Sequence, residues 1–147
     1  MSAAELGFPN PPDDKPGWLE LAQSVMNQMI RHHDTDTPAC GGGIRWQNNP
    51  LKGGWDYKNM AANGGTIQLG FRLAKYTGNQ TYADYATKIY NWLDKSPLIG
   101  SDYTVNDGTD VQKKCIDADQ NQWTYNYGLM VSASAYVRLF LPSLSPL

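Results

Sequence analysis

Residues 57–95 read YKNMAANGGTIQLGFRLAKYTGNQTYADYATKIYNWLDK, and this stretch predicts two consecutive helices. Leu69, Leu73 and Tyr76 recur at the spacing of one helical face, so the first helix is expected over residues 57–77. Helices that alternate with long glycine-bearing loops indicate stacked helical hairpins. The expected fold class is therefore all-α.

Gly78 separates these two helices at a position typical of a helix stop. Asn79 or Thr81 can cap the next helix, and Asp84 follows Thr81 at the spacing of a capping box. The pair Ser96-Pro97 then ends it. The expected apolar face of this second helix consists of Tyr82, Tyr85, Ala86, Ile89 and Leu93.

Two further helices are predicted on either side of this hairpin. The earlier one begins at Trp18 and should fade near His33, where positive charge suits the C-terminal end of a helix dipole. The later one runs from about Trp123 to Leu139. Their expected apolar faces are Trp18, Leu21, Ala22, Val25 and Met29 in one, and Tyr127, Val131, Ala135 and Leu139 in the other.

The remaining segments show no strand order that would build a sheet. Residues 98–121 are expected to form a loop with one short extended piece at residues 103–105. Residues 140–147 are expected to be a disordered tail, which leaves residues 1–139 as one domain.

Composition limits the possible partners. A chain of 147 residues that is 41% hydrophobic has enough apolar side chains for one core. The formal net charge of -2, without a basic tract, argues against nucleic acid and against contact with anionic membranes. No apolar run is long enough to span a bilayer, and no signal peptide opens the chain.

Three polar clusters rich in glycine and aromatic residues stand next to the predicted helices. They read CGGGIRW at residues 40–46, NGG at residues 63–65 and QWTYN at residues 122–126. Glycine allows a ligand to approach the backbone, an indole face packs on the apolar side of a pyranose, and Asn and Arg supply oriented hydrogen bonds. The clusters therefore predict a sugar-binding cleft.

Four motifs, in this order, resemble glycoside hydrolase family 76, which comprises the fungal endo-α-1,6-mannanases and their cell-wall mannosidase-like relatives. They are CGGGIRWQ at residues 40–47, YKNMAANG at residues 57–64, RLAKYTGN with TYAD at residues 72–84, and QWTYNYG at residues 122–128. The resemblance covers residues 1 to about 136. It implies a partial (α/α)6 toroid, represented here by about four main helices joined by long glycine-rich loops.

The resemblance also implies the activity of the parent protein. It would be an endo-acting α-1,6-mannosidase, a retaining hydrolase or transglycosylase that acts on α-1,6-mannan or on mannose-containing glycans of the GPI type. It would be secreted, or associated with the cell surface or cell wall, and it would need no cofactor.

In the family, neighbouring aspartates in an Asn-Asp-Asp-Gln context perform the chemistry, and that context is expected ahead of Met1. No catalytic residue is therefore assigned within this chain, which we expect to be an inactive segment of a longer enzyme. An incomplete ring would leave apolar faces uncovered, which predicts marginal stability or association. The alternative is a non-catalytic helical module that binds carbohydrate without cleaving it.

Residues inside the matching motifs are the candidates for substrate binding. Several have an alternative interior role, because Trp46 and Trp123 can pack in a core and buried amides can satisfy one another. Gly64 and Gly65 each cost a helix about 1 kcal/mol relative to Ala, which a ligand or a close helix contact would explain. The candidates are Arg45, Trp46, Lys58, Asn59, Asn63, Gly64, Trp123, Tyr125 and Asn126.

Two acidic segments are weaker candidates. Asp13-Asp14 lies in a solvated loop beside Lys15, where nothing raises the pKa of one carboxyl by burial, so it is not assigned a catalytic role. The segment from Asp117 has Gln122 where a calcium loop needs glycine. No metal site is expected.

Cys40 and Cys115 are far apart in sequence and do not have metal-ligand spacing. They either form a disulfide, which would add roughly 4 kcal/mol in the loop-entropy account, or remain separate thiols. Asn79-Gln80-Thr81 is an N-glycosylation sequon, which matters if the chain enters the secretory route.

Overall fold

The computed structural model describes residues 1–36 and 38–140. Within this part the main helices expected from the sequence are present, and a short helix precedes them. The helices are α1 Ser2–Glu5, α2 Trp18–Asp36, α3 Met60–Thr77, α4 Gln80–Lys95 and α5 Thr124–Phe140. The strands are β1 Tyr57–Asn59, β2 Gly108–Asp110 and β3 Ala118–Asp119. The all-α prediction with four main helices is confirmed.

Helix α3 lies at the centre and packs against α2, α4 and α5. It lies close against α4 at Gly70, where an added Cβ would lie 2.9 Å from the backbone oxygen of Tyr82 and 2.9 Å from Cβ of Ala86. A side chain cannot be placed there without moving α3 away from α4. The fully buried apolar side chains around this contact are Met26, Met60, Ile67, Phe71, Leu73, Ala86, Ile89 and Leu93.

Helix α3 begins at Met60 rather than at Tyr57, because the three residues before it are extended. Asn59 has φ -129° and ψ 164°, and its side-chain oxygen accepts a hydrogen bond from the backbone N–H of Ala62. Such an N-cap satisfies one of the amides that the first turn leaves unpaired. The expectation of helix from Tyr57 onward was therefore wrong, because Tyr57–Asn59 form a short strand and Asn59 caps the helix.

The prediction that no sheet would form was also wrong. The three strands form an antiparallel sheet in the order β1-β2-β3, with Tyr57 opposite Asp110 and Gly108 opposite Asp119. Strands of two or three residues are too short to show an alternating pattern in the sequence. The extended piece expected near Val105 is only a single bridge to Ile99.

The buried faces of α2 and α5 differ from the expected ones. In α2 the fully buried centre is Met26, whereas Leu21 and Val25 are exposed. In α5 the buried positions are Asn126, Met130, Ala133 and Val137, while Val131 and Leu139 are exposed. Both helices have apolar residues on two sides, and the sequence cannot show which side this chain covers.

Two helix ends differ from the expected ones, and a disulfide crosslinks the chain. Helix α2 continues to Asp36, beyond the predicted fade near His33. Phe140, assigned to the tail, belongs to α5 and stacks on Phe71 at 5.3 Å between ring centroids. The remaining expected tail, residues 141–147, lies outside the described residues. Of the two states left open for the cysteines, the structure has the disulfide, with Cα atoms of Cys40 and Cys115 5.9 Å apart.

No helix in the described part of the chain is both long and apolar enough to cross a bilayer.

Candidate functional site

A cavity of about 520 Å³ lies between the C-terminal half of α2, the loop that follows it and the first turn of α3. Its wall combines two indole rings with cationic, anionic and amide side chains, as a polar ligand with an apolar face requires. The lining residues are Met29, His32, Asp36, Ile44, Arg45, Trp46, Gln47, Asn48, Trp55 and Ala62.

Arg45 organises one wall of this cavity. Its Nε donates to Oδ1 of Asp36 at 2.8 Å, and its Nη1 donates to the backbone oxygen of Trp55 at 2.7 Å. The guanidinium lies over the Trp55 ring, 4.3 Å from its centroid. A planar cation held by a carboxylate and an aromatic face has little rotamer freedom. Arg45 thus fixes the loop at Trp55 to the end of α2.

Trp46 is the exposed aromatic of the cavity. Its side chain is 58% exposed, which does not fit the alternative of a core tryptophan. Its edge meets Tyr57, 6.5 Å between centroids, and a Cβ at Gly54 would lie 2.3 Å from its ring. Gly54 has φ +88°, a conformation that glycine adopts without strain. The glycine therefore lets the loop pass under the indole and present a ring surface to the cavity.

Lys58 does not reach the cavity, because its side chain is fully buried. Its ammonium lies 2.8 Å from Oδ2 of Asp36 and donates to the backbone oxygens of Ala39 at 2.8 Å and Gly42 at 2.5 Å. Burial lowers the pKa of Lys58, and the Asp36 carboxylate opposes that shift. The glycine-rich segment thus surrounds an interior cation with its carbonyl groups.

The glycines of this segment also pack on Trp92. A Cβ at Gly43 would lie 2.6 Å from the Trp92 ring, and Gly43 has φ +75°. The indole N–H of Trp92 donates to the backbone oxygen of Cys40 at 3.0 Å. Close packing inside the protein therefore accounts for glycine here, where the sequence predicted the floor of a cleft.

Asn59, Asn63 and Gly64 are also interior. Both hydrogen-bonding ends of the Asn63 amide are used: its oxygen accepts from Ile44 N at 2.7 Å, and its nitrogen donates to Ile44 O at 2.9 Å. These two hydrogen bonds to the backbone of Ile44 hold the loop before Arg45 against α3. Gly64 faces α5, where an added Cβ would be 3.4 Å from Cβ of Leu129.

The third cluster lies elsewhere, and none of its residues lines the cavity. The fully buried Asn126 donates to Oδ1 of Asp107 at 3.2 Å, and the Tyr57 hydroxyl donates to Oδ2 of Asp107 at 2.9 Å. Burial, reinforced by Asp107, raises the pKa of Tyr57. Trp123 and Tyr125 are about half exposed.

Of the nine candidate residues, the structure brings Arg45 and Trp46 to the cavity. The reasoning from sequence missed Asp36, Trp55 and the amides of Gln47 and Asn48. Gln47 stands inside a motif that had been singled out, and Trp55 follows a Gly-Gly pair, so both positions had a signal. Asp36 had none, because it was expected to lie beyond the end of its helix.

The weaker acidic candidates stay apart from the cavity. Asp14 pairs with Lys15 at 3.2 Å, and both side chains are mostly exposed. Among the described residues, no group of three or more His, Cys, Asp or Glu side chains is placed to hold a metal ion.

The profile of glycosyl hydrolase family 76 matches residues 1–138. The mannan endo-1,6-alpha-mannosidase DCW1 of Candida glabrata is 49% identical over 139 residues, which cover 93% of this chain and 31% of that protein. The chain therefore spans about a third of the length of this relative.

Two solved structures have a similar fold over this part of the chain. Dfg5 from Chaetomium thermophilum, crystallised with glucosamine, is 42% identical with a TM-score of 0.87, covering 96% of this chain and 34% of that one. A family 76 α-mannanase from Bacteroides thetaiotaomicron is 21% identical with a TM-score of 0.70, covering 82% of this chain and 32% of that one, and it shows the fold alone.

Proposed function

Because this chain belongs to glycosyl hydrolase family 76, we propose that the protein it represents is an endo-acting α-1,6-mannosidase, and that these 147 residues supply a wall of its sugar-binding site. The proposal is supported by the name of the relative from Candida glabrata and by the glucosamine bound to the Chaetomium thermophilum protein. The four helices represent part of an (α/α)6 toroid.

The observation that carries the proposal is the exposed Trp46 ring beside Arg45 at the cavity. An indole face covers the C–H groups of a pyranose, while nearby amides can bond to its hydroxyls. Gln47 and Asn48 stand next in the chain and line the same cavity. We assign substrate binding to this group of residues, with α-1,6-linked mannose units as the substrate. Lys58, Asn59 and Asn63 support the loop from inside.

Cleavage requires two further groups. A retaining glycosidase uses one carboxylate as nucleophile and one carboxylic acid as proton donor, and forms a covalent glycosyl intermediate that water or another sugar then accepts. Asp36 is the one carboxylate among the described residues that line the cavity, and its two oxygens face Arg45 and Lys58. It is not free for either role, so this chain alone binds sugar without cleaving it.

The same observation favours the second candidate, a non-catalytic carbohydrate-binding module. Both candidates place mannose in the cavity, and they differ in whether further residues complete a cleaving site. Location outside the cytosol is part of the proposal, at the cell surface or wall. The disulfide supports it, since such bonds persist in oxidising compartments.

A titration of the 147-residue chain with α-1,6-mannobiose, followed by tryptophan fluorescence, tests the binding site. We expect saturable binding that Trp46→Ala weakens by about tenfold or more. Leu51→Ala is the matched control, because Leu51 belongs to the same loop, is 92% exposed and is not among the residues that line the cavity. Equal affinity of the Trp46→Ala variant would exclude this cavity as the site.

An assay on α-1,6-mannan tests whether this chain cleaves the polymer as well as binding it. We expect no turnover by this chain alone, because the one carboxylate among the described lining residues, Asp36, is paired with Arg45 and Lys58. Measurable release of reducing ends by the purified chain would contradict that expectation while leaving the binding site intact.

A further inference from the structure

A second cavity, of about 390 Å³, lies beside the disulfide. One wall is the C-terminal half of α4, where Lys88, Asn91 and Lys95 recur every three or four residues and so share a helical face. The other wall contains the disulfide and Lys114. No part of the proposed mannose site uses this cavity.

The charge of this cavity is uniformly positive. Its lining includes three lysines and no carboxylate, in a chain with a net charge of -2. None of the three makes an ion pair with a carboxylate among the described residues. Lys95 has a structural reason to be there, since a cation suits the C-terminal end of α4. The ammonium of Lys88 lies over the Tyr85 ring, 4.2 Å from its centroid. Lys114 has neither of these roles among the described residues.

The backbone of the cavity wall gives an independent observation. Four non-glycine residues in the described chain have positive φ, and three of them line this cavity: Cys40 at 59°, Lys114 at 58° and Cys115 at 54°. Such residues are strained, persist only where their surroundings hold them, and concentrate at ligand sites. Here Cys115 is held by a hydrogen bond from its N–H to the Asp110 carbonyl at 3.0 Å. The strained turn places Lys114 opposite α4.

We propose that this cavity is a binding site for a phosphoryl group, contacted by Lys88, Lys95 and Lys114. Three lysines on two walls of one cavity give it a positive potential, and an anion with several acceptor oxygens is attracted to such a site. The side-chain amide of Asn91 adds a neutral donor at the same wall. The phosphoryl group belongs either to free phosphate or to a phosphorylated sugar.

The test is a titration of the ¹⁵N-labelled 147-residue chain with inorganic phosphate, at an ionic strength held constant with sodium chloride. We expect saturable shifts of the amide signals of Gly41, Asn91 and Lys114. Lys114→Gln should weaken binding by about three- to tenfold, a modest loss because the site is open to solvent. Lys113→Gln is the matched control, because Lys113 is the neighbour of Lys114 in the chain but lines a different cavity.

The circular dichroism spectrum of each variant shows whether it is folded. If Lys114→Gln does not fold, Lys88→Gln replaces it as the test, with the same expected loss. Linear, non-saturating shifts, or an equal loss in Lys113→Gln, would overturn the proposal.

A parallel titration with mannose 6-phosphate separates the two sources of the phosphoryl group. Tighter binding than inorganic phosphate indicates a phosphorylated sugar, and equal or weaker binding indicates free phosphate. Mannose without phosphate should leave these signals unmoved, and the same shifts with unphosphorylated mannose would contradict a phosphoryl site.

Discussion

The ammonium of Lys58 lies 2.8 Å from Oδ2 of Asp36, and Arg45 holds the other oxygen of the same carboxylate at 2.8 Å. Asp36 ends α2, Lys58 lies in β1 and Arg45 lies in the loop between them. One carboxylate therefore connects the wall of the mannose cavity to the interior.

Replacing Lys58 with Met should lower the free energy of unfolding by about 3 kcal/mol, because it removes one of the two counter-charges of a largely buried carboxylate and leaves three backbone carbonyls without their donor. Urea denaturation measures this difference. Lys52→Met, at an exposed position of the loop, should change it by less than about 0.5 kcal/mol. Equal effects in the two variants would show that the buried ion pair contributes nothing to stability.

Two glycines of α3 should respond in opposite directions to the same substitution. Gly70→Ala should destabilise the chain by about 1–3 kcal/mol, since the new methyl would meet the backbone of α4. Gly65→Ala has open space and should stabilise by up to about 1 kcal/mol through helix propensity. Thermal unfolding of the two variants tests this, and a gain from Gly70→Ala would disprove the tight contact.

Acid should release α1 before the rest of the chain unfolds. The Arg72 guanidinium, hydrogen-bonded to Glu5, lowers the pKa of that carboxyl from its ordinary 4.5. A lowered folded-state pKa contributes stability that is complete above 4.5 and is lost as the pH falls through the lowered value. The protection factor of the Phe8 amide, whose N–H donates to Ala3 O at 2.9 Å, should therefore fall in that window when exchange is compared with the intrinsic rate at each pH.

The variant Glu5→Gln is the control for this acid effect. Its Phe8 protection factor should be lower than that of the parent at neutral pH and should change little further in acid. A protection profile parallel to that of the parent would assign the loss of protection to other groups.

Asn79 should be glycosylated when the chain is made behind a secretion leader in a eukaryotic host. It is exposed, and its side-chain oxygen already accepts the Thr81 amide at 3.0 Å as the cap of α4. Attachment uses the side-chain nitrogen and leaves that oxygen in place. The intact mass should fall after treatment with peptide N-glycosidase.

Two variants separate the sequon from the cap. Asn79→Asp keeps a capping oxygen, so it should lose the glycan while retaining the melting temperature of the deglycosylated parent. Asn79→Ala should lose both the glycan and about 1 kcal/mol of stability. An unmodified parent chain would refute the site.

The four long helices could be predicted because each has an apolar period and an end signal such as Gly78. The sheet could not, because its strands have two or three residues and β1 pairs with β2, which lies beyond α3 and α4 in the chain. The choice of buried face failed in α2 and α5 for a different reason. Leu21 and Met26 are both apolar, and only the neighbouring helices decide which one they cover.

The site could be predicted in part. Arg45 and Trp46 were recognised as polar and aromatic groups in a glycine-rich setting, and both line the cavity. Asn63 and Lys58 stand in equally suggestive motifs, yet their partners are backbone atoms inside the protein. A sequence shows that an amide needs a partner, and it does not show whether a ligand or the chain itself provides it.

The bond between Cys40 and Cys115 makes the intervening polypeptide a covalent ring that contains the whole of α3 and α4. A single cut by a protease between these two cysteines would leave one molecule of nearly unchanged mass until a reductant is added. A cut before Cys40 would instead release α2 as a separate peptide, because no other disulfide joins the described residues. The disulfide thus keeps the pieces of a cleaved α3–α4 hairpin covalently joined, whereas α2 and α5 are held by packing alone.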